Sequence, residues 1–342
     1  MRRLEPLVQF LGPALLILAV AVVGSLTSHA REIEFRNALV NVAIVVALYV
    51  FVGNSGVVSF GHVSFVAVGA FASGLLTIEA QSKQFVLPGL FGFLQETTIG
   101  DLPSLGLAAV AGGVFAFLVG LPLMRLSGLP AGIATLAVLG ITYNVLRNWT
   151  KIGPGPLTLS LVPETTTIWR AAVGALAVAA VALVYQRSRA GRQLRATRED
   201  AGAAQACGID VYRQRLFAFT LSGALAGLAG GLLVHLLGSI TTDQVYLGLT
   251  FLTLAMLVIG GVSSLWGAVV GALLVSGVNA FLVDAENTVH VGFDLTLPQG
   301  TSLVILGALM ALVLIVRPAG LTGGREFSLP RRRPTSGPER SM

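Results

Sequence analysis

LAVLGITYNVL at residues 136–146 and LGALMALVLIV at 306–316 hold their apolar character without interruption, and that decides the fold. A strand with one face in lipid alternates apolar and polar residues over segments of about ten, and neither stretch does so. Hydrocarbon offers a backbone no hydrogen-bond partners, so an unbroken apolar run must satisfy its own N–H and C=O groups as a helix. A crossing takes about 20 apolar residues to span roughly 30 Å. Stretches of that order recur along the chain between short polar connections. The composition agrees: 342 residues are 54% hydrophobic and only 11% charged, with a mean hydropathy of +0.83. Soluble domains are rarely so apolar. The expectation is an all-α, polytopic integral membrane protein with about ten transmembrane helices. They fall near 7–27, 38–53, 61–79, 104–123, 128–147, 168–185, 216–236, 248–261, 265–283 and 300–316.

Charge tests this arrangement. Alternating spans put Arg2, Arg3, Arg125, seven arginines of the 187–215 loop, Arg317, Arg325, the Arg331–Arg333 triplet and Arg340 on one side. Arg31, Arg36, Lys83, Arg147, Lys151 and Arg170 fall on the other. Sixteen against six is the asymmetry of the positive-inside rule, so both termini are expected in the cytoplasm. The net charge of +6 then reflects Arg-rich inner loops facing anionic membrane lipid, not a nucleic-acid partner. MRR before the first apolar run and SHA at 28–30 resemble a cleavable leader. The run is nonetheless as long as a full span, and its removal would strand the Arg-rich end on the wrong side, so it is expected to remain. Cys207 has no second cysteine with which to pair.

None of the sixteen acidic residues sits at the centre of a predicted span; Glu79 comes nearest. Carriers driven by ions commonly keep carboxylates there. A G-x-x-x-x-G-K-[ST] phosphate loop is also missing, so energy is expected from another subunit and not from ATP bound to this chain. No metal-ligand spacing and no Ser, His and Asp arrangement stands out, and the expectation is a chain that is not an enzyme, with no metal and no cofactor of its own.

Two Gly-rich corners carry the pathway signal: GNSGVVSFGHVSFVAVGA at 53–70 and GGVSSLWGAVVGA at 260–272. Glycine reaches backbone conformations closed to other residues, and short or interrupted apolar segments in both halves of a transporter point to the substrate path. The candidates are Asn54, Ser55, Ser59, His62 and Ser64 in the first corner, and Gly260, Gly261, Ser263 and Ser264 in the second. Close helix packing through small residues is the competing explanation. A structural, hydrogen-bonded role is the competing one for His62.

The polar island RSRAGRQLRATREDAGAAQACGIDVYRQR, residues 187–215, cannot enter hydrocarbon, and its Ala-rich middle before Gly208 predicts a short docked helix. Four blocks in order then carry a family resemblance. They are SFGHVSFVAVGAF at 59–71, SRAGRQLRATREDAGAAQACGIDVYRQRLFAFTLSGALAGLAGGL at 188–232, IGGVSSLWGAVVGALL at 259–274 and RPAGL at 317–321. They are similar to branched-chain amino acid ABC importer permeases, more closely to the type called LivM, and NWT at 148–150 adds a weaker likeness. The resemblance implies a permease domain over 1–321 with a coupling loop at 187–215, followed by a basic, disordered cytoplasmic tail at 322–342. It also implies a bacterial inner-membrane location. The implied partners are a LivH-like permease, two cytoplasmic ATPase subunits that use ATP, and an extracytoplasmic substrate-binding protein. Arg192, Arg195, Glu199, Ala203, Ala204 and Gly208 are the implied ATPase-coupling residues.

At that place the chain departs from the pattern. Importer permeases often carry EAA, three residues, then Gly, whereas GAAQACG at 202–208 has Gly202 in the Glu position and Ala201 where an acid often follows. Glu199 or Asp200 is left to supply the polar contact. Branched-chain amino acids are the implied substrate. Urea, short amides or a monosaccharide remain the alternatives.

Overall fold

A computed structural model describes residues 5–87, 89–286, 289–290, 294–295, 301–317, 319–324 and 326. Arg2, Arg3, Arg325, Arg340 and the Arg331–Arg333 triplet, with the expected tail from residue 327 onward, lie outside the described residues. Among the described residues the fold is nearly all helix. In order these are α1 (Glu5–Ser25), α2 (His29–Ser55), α3 (His62–Thr77), α4 (Ala80–Val86), α5 (Gly92–Glu96), α6 (Asp101–Leu123) and α7 (Leu129–Asn148). There follow α8 (Ile168–Arg187), α9 (Arg189–Glu199), α10 (Ala201–Ala206), α11 (Val211–Leu237), α12 (Leu247–Gly260), α13 (Leu265–Glu286) and α14 (Thr301–Val316). The strands are a two-residue pair, Val289–His290 against Asp294–Leu295.

An apolar helix occupies each of the ten predicted positions. Six are long and apolar enough to cross a membrane: α2, α6, α7, α8, α11 and α13. α1, α3, α12 and α14 carry apolar stretches of only 10–17 residues. Two of these short helices flank the Gly-rich corners, where irregular backbone replaces helix: α3 begins only after Gly56–Gly61, and α12 stops at Gly261.

α2 is the axis of the bundle, and its whole membrane-length window is enclosed by protein. α1, α8, α11, α12 and α13 pack around it. A helix apolar on all sides is expected in such a position. Its one polar step in mid-span, Asn41, donates from Nδ2 to Ser276 Oγ of α13 at 3.2 Å. α11 stands between α2, α3 and α6. It approaches them backbone to backbone, since a Cβ on Gly227 would collide with the Ala108 carbonyl of α6, and one on Gly230 with the Val66 carbonyl of α3. Small residues are what allow helices to come this close in lipid. The outer faces of α6, α7 and α14 expose Val110, Leu118, Ile133, Ile141 and Ile315, a surface of the kind that lipid or a membrane partner covers.

Among the described residues, members of the two charge groups lie at opposite ends of the bundle. At one end the Arg198 guanidinium of α9 donates to the carbonyl of Gly53 near the end of α2. At the other, Arg170 pairs with Asp101 at 3.5 Å and Arg147 with Asp243 at 3.3 Å. Lys83 lies at that second end too, fully enclosed, where its ammonium donates to the carbonyls of Leu94 and Thr97 at 3.1 and 2.5 Å. Past residue 321 the chain still touches the bundle: Thr322 N donates to the Gly260 carbonyl, and Glu326 contacts the start of α13.

Candidate functional site

The 187–215 island forms two short helices set at an angle, where a single one was expected. Ser188 caps α9, its Oγ accepting from Gly191 N at 3.1 Å. Asp200 then breaks the run with extended backbone and caps α10, its carboxylate accepting from Ala203 N at 2.9 Å. Asx residues favour this position because their side chains replace missing intrahelical acceptors. At the far end Gly208 takes φ +80, and Ile209 N donates to the Ala204 carbonyl at 3.0 Å. That is a left-handed helix terminus of the kind glycine suits. Asp210 caps α11 by accepting from Arg213 N.

α9 is clamped to the bundle at three points. Leu194 is fully buried. Arg195 Nη2 donates to the Gln186 carbonyl at 2.7 Å. Arg198 Nη1 donates to the Gly53 carbonyl at 2.7 Å while its stem lies against Gly56. Arg192 is exposed and reaches back to the Arg187 carbonyl. Glu199 is exposed. On α10, Ala204 faces inward and is buried, whereas Ala203, Gln205, Ala206 and Cys207 face out. Beside it opens a groove of about 530 Å³ with Ala201 and Gln205 on one wall and Arg125, Tyr212 and Arg215 on the other.

Both Gly-rich corners lie at this same end, in contact with each other, since a Cβ on Gly53 would meet the Val262 carbonyl. In the first corner Asn54, Ser55, Ser59, His62 and Ser64 are all buried. Ser55 Oγ accepts from Val57 N at 3.1 Å, and Asn54 Nδ2 donates to the Val50 carbonyl. His62 is held at both nitrogens, with Ser59 Oγ at 2.8 Å from Nδ1 and Ser222 Oγ at 2.6 Å from Nε2. Ser222 donates its single proton to the Ala47 carbonyl at 2.6 Å. In the neutral ring Nε2–H therefore donates to Ser222, and Nδ1 accepts from Ser59. Phe51, Phe65 and Phe219 enclose the ring. Two oxygens in this corner, Asn54 Oδ1 and Ser64 Oγ, are buried and unpartnered.

In the second corner Gly260 packs directly on Gly267 and Gly271 of α13, and Gly261, at φ +124, ends α12. Ser264 Oγ caps α13 by accepting from Gly267 N at 2.9 Å. Ser263 is exposed. These glycines serve turn geometry and close packing.

At the opposite end, the first half of α2 and the second half of α13 diverge around two adjoining clefts of about 390 and 260 Å³. Their shared walls include Glu34, Ser276 and Asp284; Arg31 borders the larger cleft, and Asn41 the smaller. Among the described residues no group of three or more His, Cys, Asp or Glu is placed to hold a metal ion.

Arg198, Asp200, Ser222 and Glu326 hold this architecture together; of these the sequence offers only Asp200, and as a polar contact, not as a helix cap. Asp200 had a signal, an Asx residue directly before an Ala-rich helix. Arg198 continues the three-residue spacing of Arg192 and Arg195. Ser222 and Glu326 had none, because their partners are distant in sequence.

The branched-chain amino acid transport system permease component family matches residues 36–314. The chain belongs to this family. Among relatives, it is 28% identical to the high-affinity branched-chain amino acid transport system permease protein LivM of Escherichia coli strain K12, over 90% of this chain and 73% of that protein. It is 33% identical to the autoinducer 2 import system permease protein LsrC of Klebsiella pneumoniae over 55% of each. A probable branched-chain amino acid transport permease protein LivH of Methanocaldococcus jannaschii is 32% identical over 41% of this chain and 43% of its own length. No solved structure matches the chain. The matched region takes in most of α2, all of α3 to α13 and most of α14, so the family's permease region contains most of the axis helix, both corners and the α9–α10 pair. As a permease with several membrane-capable helices, this is a multi-pass membrane protein and a transport subunit.

Proposed function

We propose that this chain is a membrane-spanning subunit of an ATP-binding cassette importer in the bacterial inner membrane. Together with a second, LivH-like permease it forms the path for branched-chain amino acids delivered by an extracytoplasmic binding protein. Two cytoplasmic ATPase subunits hold and hydrolyse ATP. The observation that carries this reading is the α9–α10 pair. α9 is bonded to the first corner through Arg198 and Gly53, while α10 turns an Ala-lined face and a groove outward.

A force applied to the outer face of α10 passes into α9, because Asp200 joins the two without a flexible linker. From α9 it reaches α2 through the carbonyl of Gly53 and α8 through that of Gln186. The termini and the 187–215 loop face the cytoplasm in this scheme, and the clefts between α2 and α13 face the binding protein. A cleft of this kind, carrying Arg31 beside Glu34 and Asp284, offers opposite charges to the carboxylate and ammonium of an amino acid.

The test is uptake into proteoliposomes by the complex with its partner permease, ATPases and binding protein. Leucine, isoleucine, valine, urea and a pentose are compared with and without ATP. ATP-dependent uptake of the branched-chain amino acids is expected. Replacing Arg198 with Ala should lower uptake about tenfold, the order of a lost charged hydrogen bond, with ATPase subunits still copurifying. Uptake without ATP or partners would refute the assignment. The LsrC similarity favours a second reading, a small polar solute of another class, and autoinducer 2 belongs in the same substrate panel.

A further inference from the structure

Glu326 lies beyond the last apolar helix, yet its carboxylate sits within the inner end of the bundle. Oε1 accepts from Leu265 N at 3.0 Å and from Gln186 Nε2 at 2.8 Å; Oε2 accepts from Trp266 N at 3.3 Å. The two backbone amides open α13, where helix N–H groups lack intrahelical acceptors and the helix dipole favours an anion. Ser264 already accepts from the next amide, Gly267 N. Glu326 thus completes the start of α13 and also holds Gln186, in the last turn of α8. Gln186 in turn takes the Arg195 hydrogen bond from α9 on its own carbonyl. The segment leading to Glu326 is strapped beneath the second corner, with Leu321 N on the Ile259 carbonyl at 2.9 Å and Thr322 Oγ1 on the Gly260 carbonyl at 2.9 Å. Tyr49 of α2 lies within electrostatic reach of the same carboxylate.

This places one carboxylate at the meeting point of α8, α13 and the C-terminal strap, beside α2. α13 runs from it to the outer clefts, where Ser276 and Asp284 form part of the walls. At 1.5 Å per residue its 22 residues cover roughly 33 Å. α9 therefore has two mechanical outputs: Arg198 to α2, and Arg195 through Gln186 and Glu326 to α13.

We propose that Glu326 is a positioning residue that transmits displacement of the coupling helices to α13, so that the outer cleft responds to the ATPase end. The role rests on the transporter reading above. Copies of the complex carrying E326A, Q186A, Q186E or the exchanged pair Q186E/E326Q are reconstituted, and amino acid uptake is measured per ATP hydrolysed. In the exchanged pair the side-chain amide at position 326 donates to the carboxylate at position 186, and its carbonyl keeps one of the two α13 amides, because Oε1 serves both Gln186 and Leu265 N in the native chain.

E326A and Q186A should each lower uptake per ATP about tenfold, the order expected for a hydrogen bond to a charged group. Q186E should do the same by opposing two carboxylates, and the exchanged pair should recover in part, above Q186E alone. Copurification of the ATPases and hydrogen exchange of the buried α2 core report that the fold is retained. In E326A, exchange should rise together at 186–195 and at 264–268. Unchanged uptake per ATP in E326A overturns the role. An exchanged pair no better than Q186E alone also overturns it, leaving Glu326 as a cap of α13 alone. A wild-type complex without ATP-dependent uptake removes the transporter reading, and this role falls with it.

Discussion

Gly208 and Ser222 show what single residues contribute. Gly208 holds φ +80 in open space, so a side chain there meets no neighbour and the obstacle is conformational. Left-handed backbone costs an ordinary residue about 1–2 kcal/mol, and more for a β-branched one. Gly208→Val is expected to refold the α10 terminus, weaken ATPase copurification and abolish uptake, with membrane insertion unchanged; wild-type uptake by this variant would separate the loop from transport. Ser222 acts in the opposite way, through contacts. Its loss leaves the His62 N–H without a partner in a closed aromatic shell, while the Ala47 carbonyl keeps its bond within α2. Ser222→Ala should therefore lower stability by about 1–3 kcal/mol, read as an earlier thermal transition in detergent, while a substrate-binding role for His62 would appear instead as altered uptake at full stability.

At the scale of elements, the cap that α4 and α5 form at the Arg147 end of the bundle depends on Lys83. Burial holds its ammonium below lysine's ordinary 10.5, so the unfolded chain binds the proton more tightly than the folded one. Stability of the cap should then rise, not fall, as pH climbs toward 10.5. The neutral amine still has two protons for the Leu94 and Thr97 carbonyls. Limited proteolysis of the 80–98 segment in nanodiscs at neutral and alkaline pH would detect this, and faster cleavage at alkaline pH would contradict it. Elements of this kind were only half legible in the sequence. Positions of the apolar helices followed from hydrophobicity, since lipid imposes one requirement on every residue in a span. The division between α9 and α10 did not: the spacing within GAAQACG carries no sign of the break, which the Asp200 side chain sets. The corners were located, but their chemistry was hidden. Whether a glycine lines a path or admits a neighbouring backbone depends on which helix comes to face it, and Gly260 faces Gly267 and Gly271.

Across the whole molecule, packing depends on α11 lying flush against α3 and α6. Gly230→Leu would drive a side chain into the Val66 carbonyl of α3. Overpacking in rigid cores costs about 1–3 kcal/mol or more; here backbone is the obstacle and cannot rotate away. The variant should insert yet fail to form the compact bundle, measured as loss of the monodisperse species in size-exclusion chromatography. A monodisperse, transport-competent variant would show that the helices have slack. The same scale explains why Glu326 escaped notice in the sequence. Its partners Gln186, Leu265 and Trp266 belong to helices whose arrival at one point is a property of the assembled bundle.

The enclosure of α2 sets a problem of timing during synthesis. Asn41 finds its partner Ser276 only 235 residues later. At about 5–20 residues per second, translation takes roughly 12–47 s to supply it. Through that interval the helix destined for the centre stands with one amide facing lipid or the insertion machinery. The axis of the bundle is therefore made well before the contact that finishes it.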